Sequence, residues 1–329
     1  MAQPSLPGDD RGPRLAALDA ARGVALLAMI AYHFSWDLAD FHIVGWNVAS
    51  GPGWQVFART VASSFLIIVG ISLVLSLRHG FRPAAFLRRL VILIVAAALV
   101  SFGTWWFAGD ALAFFGILHL IAVGSVVALP LALFAPSWLV GLAAVAVFAA
   151  PQYLAAPVFN APSLWWLGLT TVTPRSVDYV PLLPWLAPIL IGILAGRALL
   201  GFSAGSPLVH WRPGNAAARL AAWAGRWSLA IYLIHQPVLI GILSVVAPWI
   251  PPDPAIEQTV FTRDCTQSCA AIEREAPFCA AYCSCVFRGI GGTDLMTAVR
   301  GGMTADQTTR WSSIIGQCRM DDADAPSGE

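Results

Sequence analysis

An ionisable side chain inside an apolar stretch costs about 2.5 kcal/mol or more at the centre of a membrane, so each one found there asks for a reason. The segment LDAARGVALLAMIAYHFSWDLAD, residues 18–40, is the richest in such groups. Arg22 and His33 are eleven positions apart, which at about 100° per residue brings both to nearly the same helix face with a rise of roughly 16 Å between them. Asp37 and Asp40 follow His33 on that stripe, and Asp19 lies one turn before Arg22. A cation with its carboxylate at one end and a histidine with candidate carboxylate partners at the other can line one groove. Asp37 or Asp40, bonded to one ring nitrogen of His33, makes the other nitrogen the more basic, as general-base chemistry requires. The plain alternatives are that Arg22 marks a membrane boundary and that Asp37 and Asp40 lie in headgroup water.

Further polar residues fall in apolar surroundings. His119 in FFGILHLIA is expected about seven residues into a spanning helix, at a depth of about 10 Å. Arg59 is similarly shallow in its own helix, and Asp178 in VDYVPLLPW, with Arg175 close by, precedes another. His235 in SLAIYLIHQPVL is expected near mid-depth, where Pro237 loosens the helix. Singly, each histidine is better explained as a hydrogen-bonding contact between helices. Together, His33, His119, Arg59 and Asp178 are expected to converge in the outer half of a bundle, with His235 lining the same substrate side.

The elements that must position these residues follow from composition. Of 329 residues 58% are hydrophobic and 11% charged, against about a quarter charged in ordinary soluble proteins, which excludes a soluble enzyme. About 20 apolar residues cross a hydrocarbon core, and seven stretches qualify, near 18–38, 54–77, 88–108, 112–134, 137–155, 181–201 and 227–250. Residues 156–180 are too broken by proline and polar groups and are expected to form an interfacial or re-entrant segment anchored by Trp165 and Trp166. Arginines gather at one set of helix ends, at Arg11, Arg14 and Arg22, at Arg78, Arg82, Arg88 and Arg89, and at Arg197, Arg212, Arg219 and Arg226. The positive-inside rule makes that set cytoplasmic, and an odd number of spans then places the C-terminal tail outside.

Charge separates body from tail. Residues 1–252 hold thirteen Arg and seven Asp, a net of +6, and residues 253–329 hold six Arg and eleven acids, a net of −5. All six cysteines lie in the tail, where the exterior of a bacterial inner membrane permits disulfides. Cys265 and Cys269 form one C-x3-C and Cys279 and Cys283 another, so each pair shares a helix face. Two antiparallel helices joined around Ala276 and Pro277 would be stapled as Cys265–Cys283 and Cys269–Cys279, leaving Cys285 for Cys318. That is one of fifteen connectivities, and a four-cysteine zinc site is the alternative, disfavoured by compartment and spacing.

The stretches LDAARGVALLAMIAYH, FLIIVGISLVL, FGILHL, DYVPLLPWL and RWSLAIYLIHQPVL, in that order, resemble the bacterial members of the heparan-α-glucosaminide N-acetyltransferase catalytic-domain family over about residues 14–246. The wider transmembrane acyltransferases carry an Arg, ten residues and a His in their first span, and Arg22 and His33 fit that spacing. The resemblance implies acetyl transfer from cytoplasmic acetyl-CoA to a hydroxyl or amine of a glycan on the far side of the membrane. It departs at two points. The eukaryotic members place an Asn where His33 stands and their histidine in the following stretch, which here offers His42. Seven spans are also fewer than the ten or eleven of better-known relatives.

The expectation is therefore an all-α polytopic integral membrane helical bundle of about seven transmembrane helices with a small disulfide-bonded α-helical C-terminal domain. Its parts are a cytoplasmic segment 1–15, a transmembrane acyltransferase-like domain 16–250 and a periplasmic Cys-rich helical tail 251–329. His33 and Asp37 are the expected catalytic residues, Arg22 and Asp19 the expected cofactor-binding ones, and acetyl-CoA is the expected co-substrate, without metal. Expected partners are membrane lipid, a periplasmic glycan acceptor and a periplasmic protein for the tail, with no nucleic acid. A polytopic transporter or channel, or an anchor presenting the tail, are the other classes this composition admits.

Overall fold

The computed structural model describes residues 15–201, 211–251, 253–270, 276–291, 295, 298 and 302–321. The N-terminal segment 1–15, save Leu15, lies outside them, Arg11 and Arg14 included. Seven helices are long and apolar enough to cross a membrane, and no strand occurs among the described residues. The chain divides into two compact units, one made of residues up to His33 together with Ser50–Val238, the other of Phe34–Ala49 together with the chain from Leu239 onward.

In the first unit the spans are α1 (Ala16–Asp40, continuing past His33), α2 (Pro52–Leu77), α3 (Pro83–Ala108), α4 (Ile117–Phe134), α5 (Ser137–Leu154), α6 (Leu182–Gly201) and α8 (Ser228–Val246, continuing past Val238), with the shorter α7 (Ala216–Arg226) between the last two. Pro52 and Pro83 open their helices at a position where a missing N–H costs nothing. Asn215 caps α7 by accepting from the Ala218 N–H at 2.8 Å. Leu66, Leu120, Ile189, Leu190 and Ile193 are fully buried at the centre, on α2, α4 and α6. The closest approach there is backbone to backbone. A Cβ on Gly70 of α2 would overlap the Ile189 carbonyl, and one on Gly192 of α6 would overlap the Ile67 carbonyl. With Gly196 one turn further on, Gly192 forms the small-xxx-small pattern that lets membrane helices pack closely. Gly23 of α1 meets the Ala221 carbonyl of α7 in the same way, and Gly225 meets that of Asp19.

Two stretches depart from the hydropathy pattern. The fourth span begins at Ile117 rather than 112, because 112–116 turns on itself without forming helix and is tied to the segment before α6: Val177 N–H donates to the Ala111 carbonyl at 2.8 Å and Val180 N–H to that of Phe115 at 3.0 Å. Residues 156–180 hold only two short 3-10 turns, Pro157–Asn160 and Pro162–Leu167. The Trp165 indole donates to the Asn160 carbonyl at 2.9 Å, and the Tyr179 hydroxyl donates to the Trp165 carbonyl at 2.8 Å. Arg197, near the end of α6, serves as more than a topological marker. Its Nη2 donates to the carbonyls of Leu131, Ala132 and Ala135, satisfying the open end of α4.

In the second unit, α9 (Pro254–Ala270), α10 (Ala276–Ile290) and α11 (Ala305–Asp321) are joined by three disulfides, Cys265–Cys283, Cys269–Cys279 and Cys285–Cys318, and no cysteine is free. The first two join α9 to α10 at the i, i+4 positions, and the third ties α11 to α10. Val260, Cys279, Cys283, Val286 and Ile290 form its buried interior. α1 ends here in a Schellman turn: Ile43 N–H reaches back to the Leu38 carbonyl and His42 N–H to that of Ala39. His42 occupies the left-handed position of that turn, at φ 57°.

Candidate active site

Within the first unit, the helix ends that carry the arginines enclose a cavity of about 1010 Å3. Arg22, Arg78, Arg82, Arg88, Arg89 and Arg226 line it, and Asp19 is the one carboxylate among its described lining residues. The cavity therefore has a large surplus of positive charge, suited to phosphate groups. Arg22 is held by an ion pair to Asp19 at 3.0 Å and by donation to the Ser72 hydroxyl at 2.5 Å, and Ser72 in turn donates to the Ile68 carbonyl. The deeper wall is apolar, with Phe65, Val69, Leu73 and Ile121, and reaches Tyr232 on α8.

Tyr232 leads directly to two histidines. Its carbonyl accepts from His235 Nδ1 at 2.7 Å, which puts the proton on Nδ1 and the lone pair on Nε2 of a neutral ring. His235 is buried, and its Nε2 has no hydrogen-bond partner among the described residues. A buried ring nitrogen in that state is a feature that calls for a role. The His33 ring lies 5.0 Å from it, centroid to centroid, inclined at 62°. Tyr32 meets the His33 ring edge-on at 5.7 Å and packs in turn against Trp54 and Phe57. The sequence placed Arg22 and His33 on one stripe. It did not reveal that the partner of His33 within this unit is His235, some two hundred residues away in the chain.

His119 and Asp178 meet at the start of α4, where they satisfy backbone groups. Gly116 N–H donates to His119 Nδ1 at 3.2 Å, so the ring proton sits on Nε2, 3.3 Å from the Ser101 hydroxyl. Ile117 N–H donates to the Asp178 carboxylate at 3.0 Å. His119 is thus in the first turn of α4, not seven residues into it. A Cβ at Gly116 would overlap the Asp178 carboxylate, so a larger residue there would displace that side chain from Ile117. Arg59 is exposed about two turns into α2, and Arg175 is exposed in the segment before α6. Asp37 is buried one turn past His33, among the residues of the second unit.

Burial pushes the Asp178 carboxyl up from 3.8 to about 6, against the opposing effect of the Ile117 N–H. A carboxyl with a raised folded-state pKa binds its proton more tightly when folded, so stability is lost as pH rises from about 4 through 6. An Asn at 178 still offers an oxygen to Ile117 without that penalty. The unfolding temperature of Asp178→Asn, relative to the unsubstituted protein, is therefore expected to rise between pH 4 and pH 7. A difference that does not change with pH would rule out this origin.

Seven helices fit to cross a membrane, an arginine-lined cavity among them, and a buried His235 set against a half-buried His33 next to Tyr232 of the cavity wall define a polytopic helical membrane protein with ionisable groups inside its bundle. The chain belongs to the family described as Heparan-alpha-glucosaminide N-acetyltransferase, catalytic, which matches residues 14–237 and makes it a member of a membrane acetyltransferase family. No curated protein and no solved structure matches. The family match ends within α8, before the disulfide-bonded helices.

Proposed function

We propose that this protein transfers an acetyl group from cytoplasmic acetyl-CoA to a hydroxyl or amine of a glycan on the outer face of a bacterial inner membrane. One observation carries this reading: the arginine-lined cavity extends along apolar wall to Tyr232, and the Tyr232 carbonyl holds His235 against His33. The arginines suit the phosphates of the donor, and Phe65, Val69 and Ile121 suit its uncharged arm. Asp19 fixes Arg22 rather than meeting the donor itself. The acetyl donor supplies an activated carbonyl.

The remaining chemistry is assigned to the chain. The imidazole of His33 takes the proton from the acceptor as its oxygen or nitrogen bonds to the acetyl carbon. It returns that proton to the departing thiolate. His235, oriented through Nδ1, keeps a basic Nε2 beside His33 and shares the charge that develops there. The arginine-rich helix ends support a cytoplasmic donor side, with the C-terminal helices periplasmic, where the disulfides also persist.

Sealed inside-out vesicles given acetyl-labelled acetyl-CoA test the reading. Label is expected in lumenal glycan and not in glycan supplied outside. Absence of both acetyl-CoA binding and transfer would sink it.

A further inference from the structure

The second unit contains its own cavity, of about 200 Å3, between the turn that follows α1 and the helix α9. Two indoles, Trp36 and Trp46, contribute wall to it, 39% and 47% exposed. The polar lining includes flat, multidentate groups, the carboxylates of Asp40 and Asp264, the amide of Asn47 and the guanidinium of Arg263, together with Gln267 and His42. We infer that this cavity is a carbohydrate subsite that takes one uncharged or amine-bearing pyranose ring.

Three features argue for that occupant. A pyranose presents an apolar C–H face and an edge of hydroxyls, and it is met best by aromatic rings combined with planar groups that bond two hydroxyls at once. Charge disfavours an anion, because Arg263 is already paired with Asp264 at 2.8 Å and Asp40 adds a further negative charge. Size sets an upper limit, since pockets that enclose drug-sized ligands occupy about 300–1,000 Å3, so this one suits a single ring rather than a long chain.

The walls are also fixed in advance. Arg263 Nη1 donates to the Trp46 carbonyl at 3.0 Å, locking the turn to α9. Asp264 precedes Cys265, and Gln267, also in the lining, lies two residues before Cys269, so both disulfides of the α9–α10 pair hold this wall. His42 lines the same cavity from a left-handed position where glycine is the usual residue. The α9 wall lies beyond residue 237, where the family match ends, so this subsite draws one wall from outside the matched region.

The inference builds on a glycan as acceptor, and its test separates the two. Full-length protein in nanodiscs is titrated with methyl glucoside, methyl galactoside, glucosamine and N-acetylglucosamine in the absence of acetyl-CoA, following saturation-transfer NMR and tryptophan fluorescence. Saturable binding of at least one sugar is expected, weakened about tenfold or more in Trp46→Ala and in Asp264→Ala, as loss of one packed or hydrogen-bonded contact would give. Trp46→Phe, which keeps a ring, should retain most of the affinity, and thiol titration should show all three disulfides intact in each variant. No saturable binding, or affinity unchanged in both alanine variants, would overturn the subsite. Sugar binding by a protein that transfers no acetyl group would uphold the subsite and refute the transferase. Acetyl transfer to glycan with no effect of either substitution on KM would do the reverse.

Discussion

Replacing His33 by alanine is expected to lower acetyl transfer by about 10²–10⁴-fold, the range that a positioned general base contributes. Binding of acetyl-CoA should be nearly unchanged, because the arginines that line the donor cavity lie on other turns and other helices. The reason to expect so large a loss is the setting of the ring. It lies 5.0 Å from His235, whose own Nδ1 is committed to the Tyr232 carbonyl, so no other described imidazole stands where His33 does. His235→Ala should also be strongly impaired. The double variant should be little worse than the His33 variant alone, because groups that act as one unit lose function together. Single-turnover transfer and equilibrium acetyl-CoA binding, measured on the same preparations, check both halves. A His33→Ala protein that transfers at the unsubstituted rate would remove this residue from the mechanism.

The second large effect belongs to the bundle itself. Gly192→Leu is expected to abolish correctly folded protein. A side chain on Gly192 would run into the Ile67 carbonyl and fall 3.0 Å from the Gly70 Cα, and neither is a flexible group that can rotate aside. Overpacking a core that can adjust costs about 1–3 kcal/mol, and here the neighbours are main chain of α2, one of the principal partners of α6. Separation of α6 from α2 would also disturb Leu66 and Ile189, which are fully buried. Gly201→Leu, at the end of the same helix with nothing within 4 Å of a Cβ, should fold normally. Size-exclusion profiles and unfolding temperatures of the two variants in detergent make the comparison. Equal behaviour would show that the α2–α6 approach carries no such constraint.

Much of the architecture can be read from the sequence because the constraint is lipid, which demands long unbroken apolar stretches. That is why the seven spans are recoverable to within a few residues at most ends. The non-helical piece at 112–116 is as apolar as a helix, and its hydrogen bonds to 176–180 depend on residues more than sixty positions away. The cysteine pattern was informative for a local reason, since i, i+4 spacing on two neighbouring helices leaves few pairings with good geometry. The site was legible in part. A His and an Arg on one helical stripe are visible locally, whereas the meeting of His33 with His235 is set by tertiary packing. The same holds for Asp178 and His119, whose hydrogen bonds to the start of α4 appear only when the segment before α6 is in place. Glycines 70 and 192 gave no signal of their own, because a close approach has no mark in one sequence without its partner.

The disulfide pattern also has a consequence for how the chain is made. Cys265 and Cys269 emerge from the ribosome before any of their partners, and each belongs to a cysteine that appears later, in nested order. Cys283 and Cys285, two residues apart, belong to different bridges. Oxidation in order of appearance would join neighbours wrongly, and Cys285 must wait for Cys318, 33 positions later. Production in a host or cell-free extract that lacks disulfide-isomerase activity should therefore yield a membrane domain with a scrambled C-terminal region. Supplying the isomerase, rather than a stronger oxidant, is the remedy this order of emergence calls for.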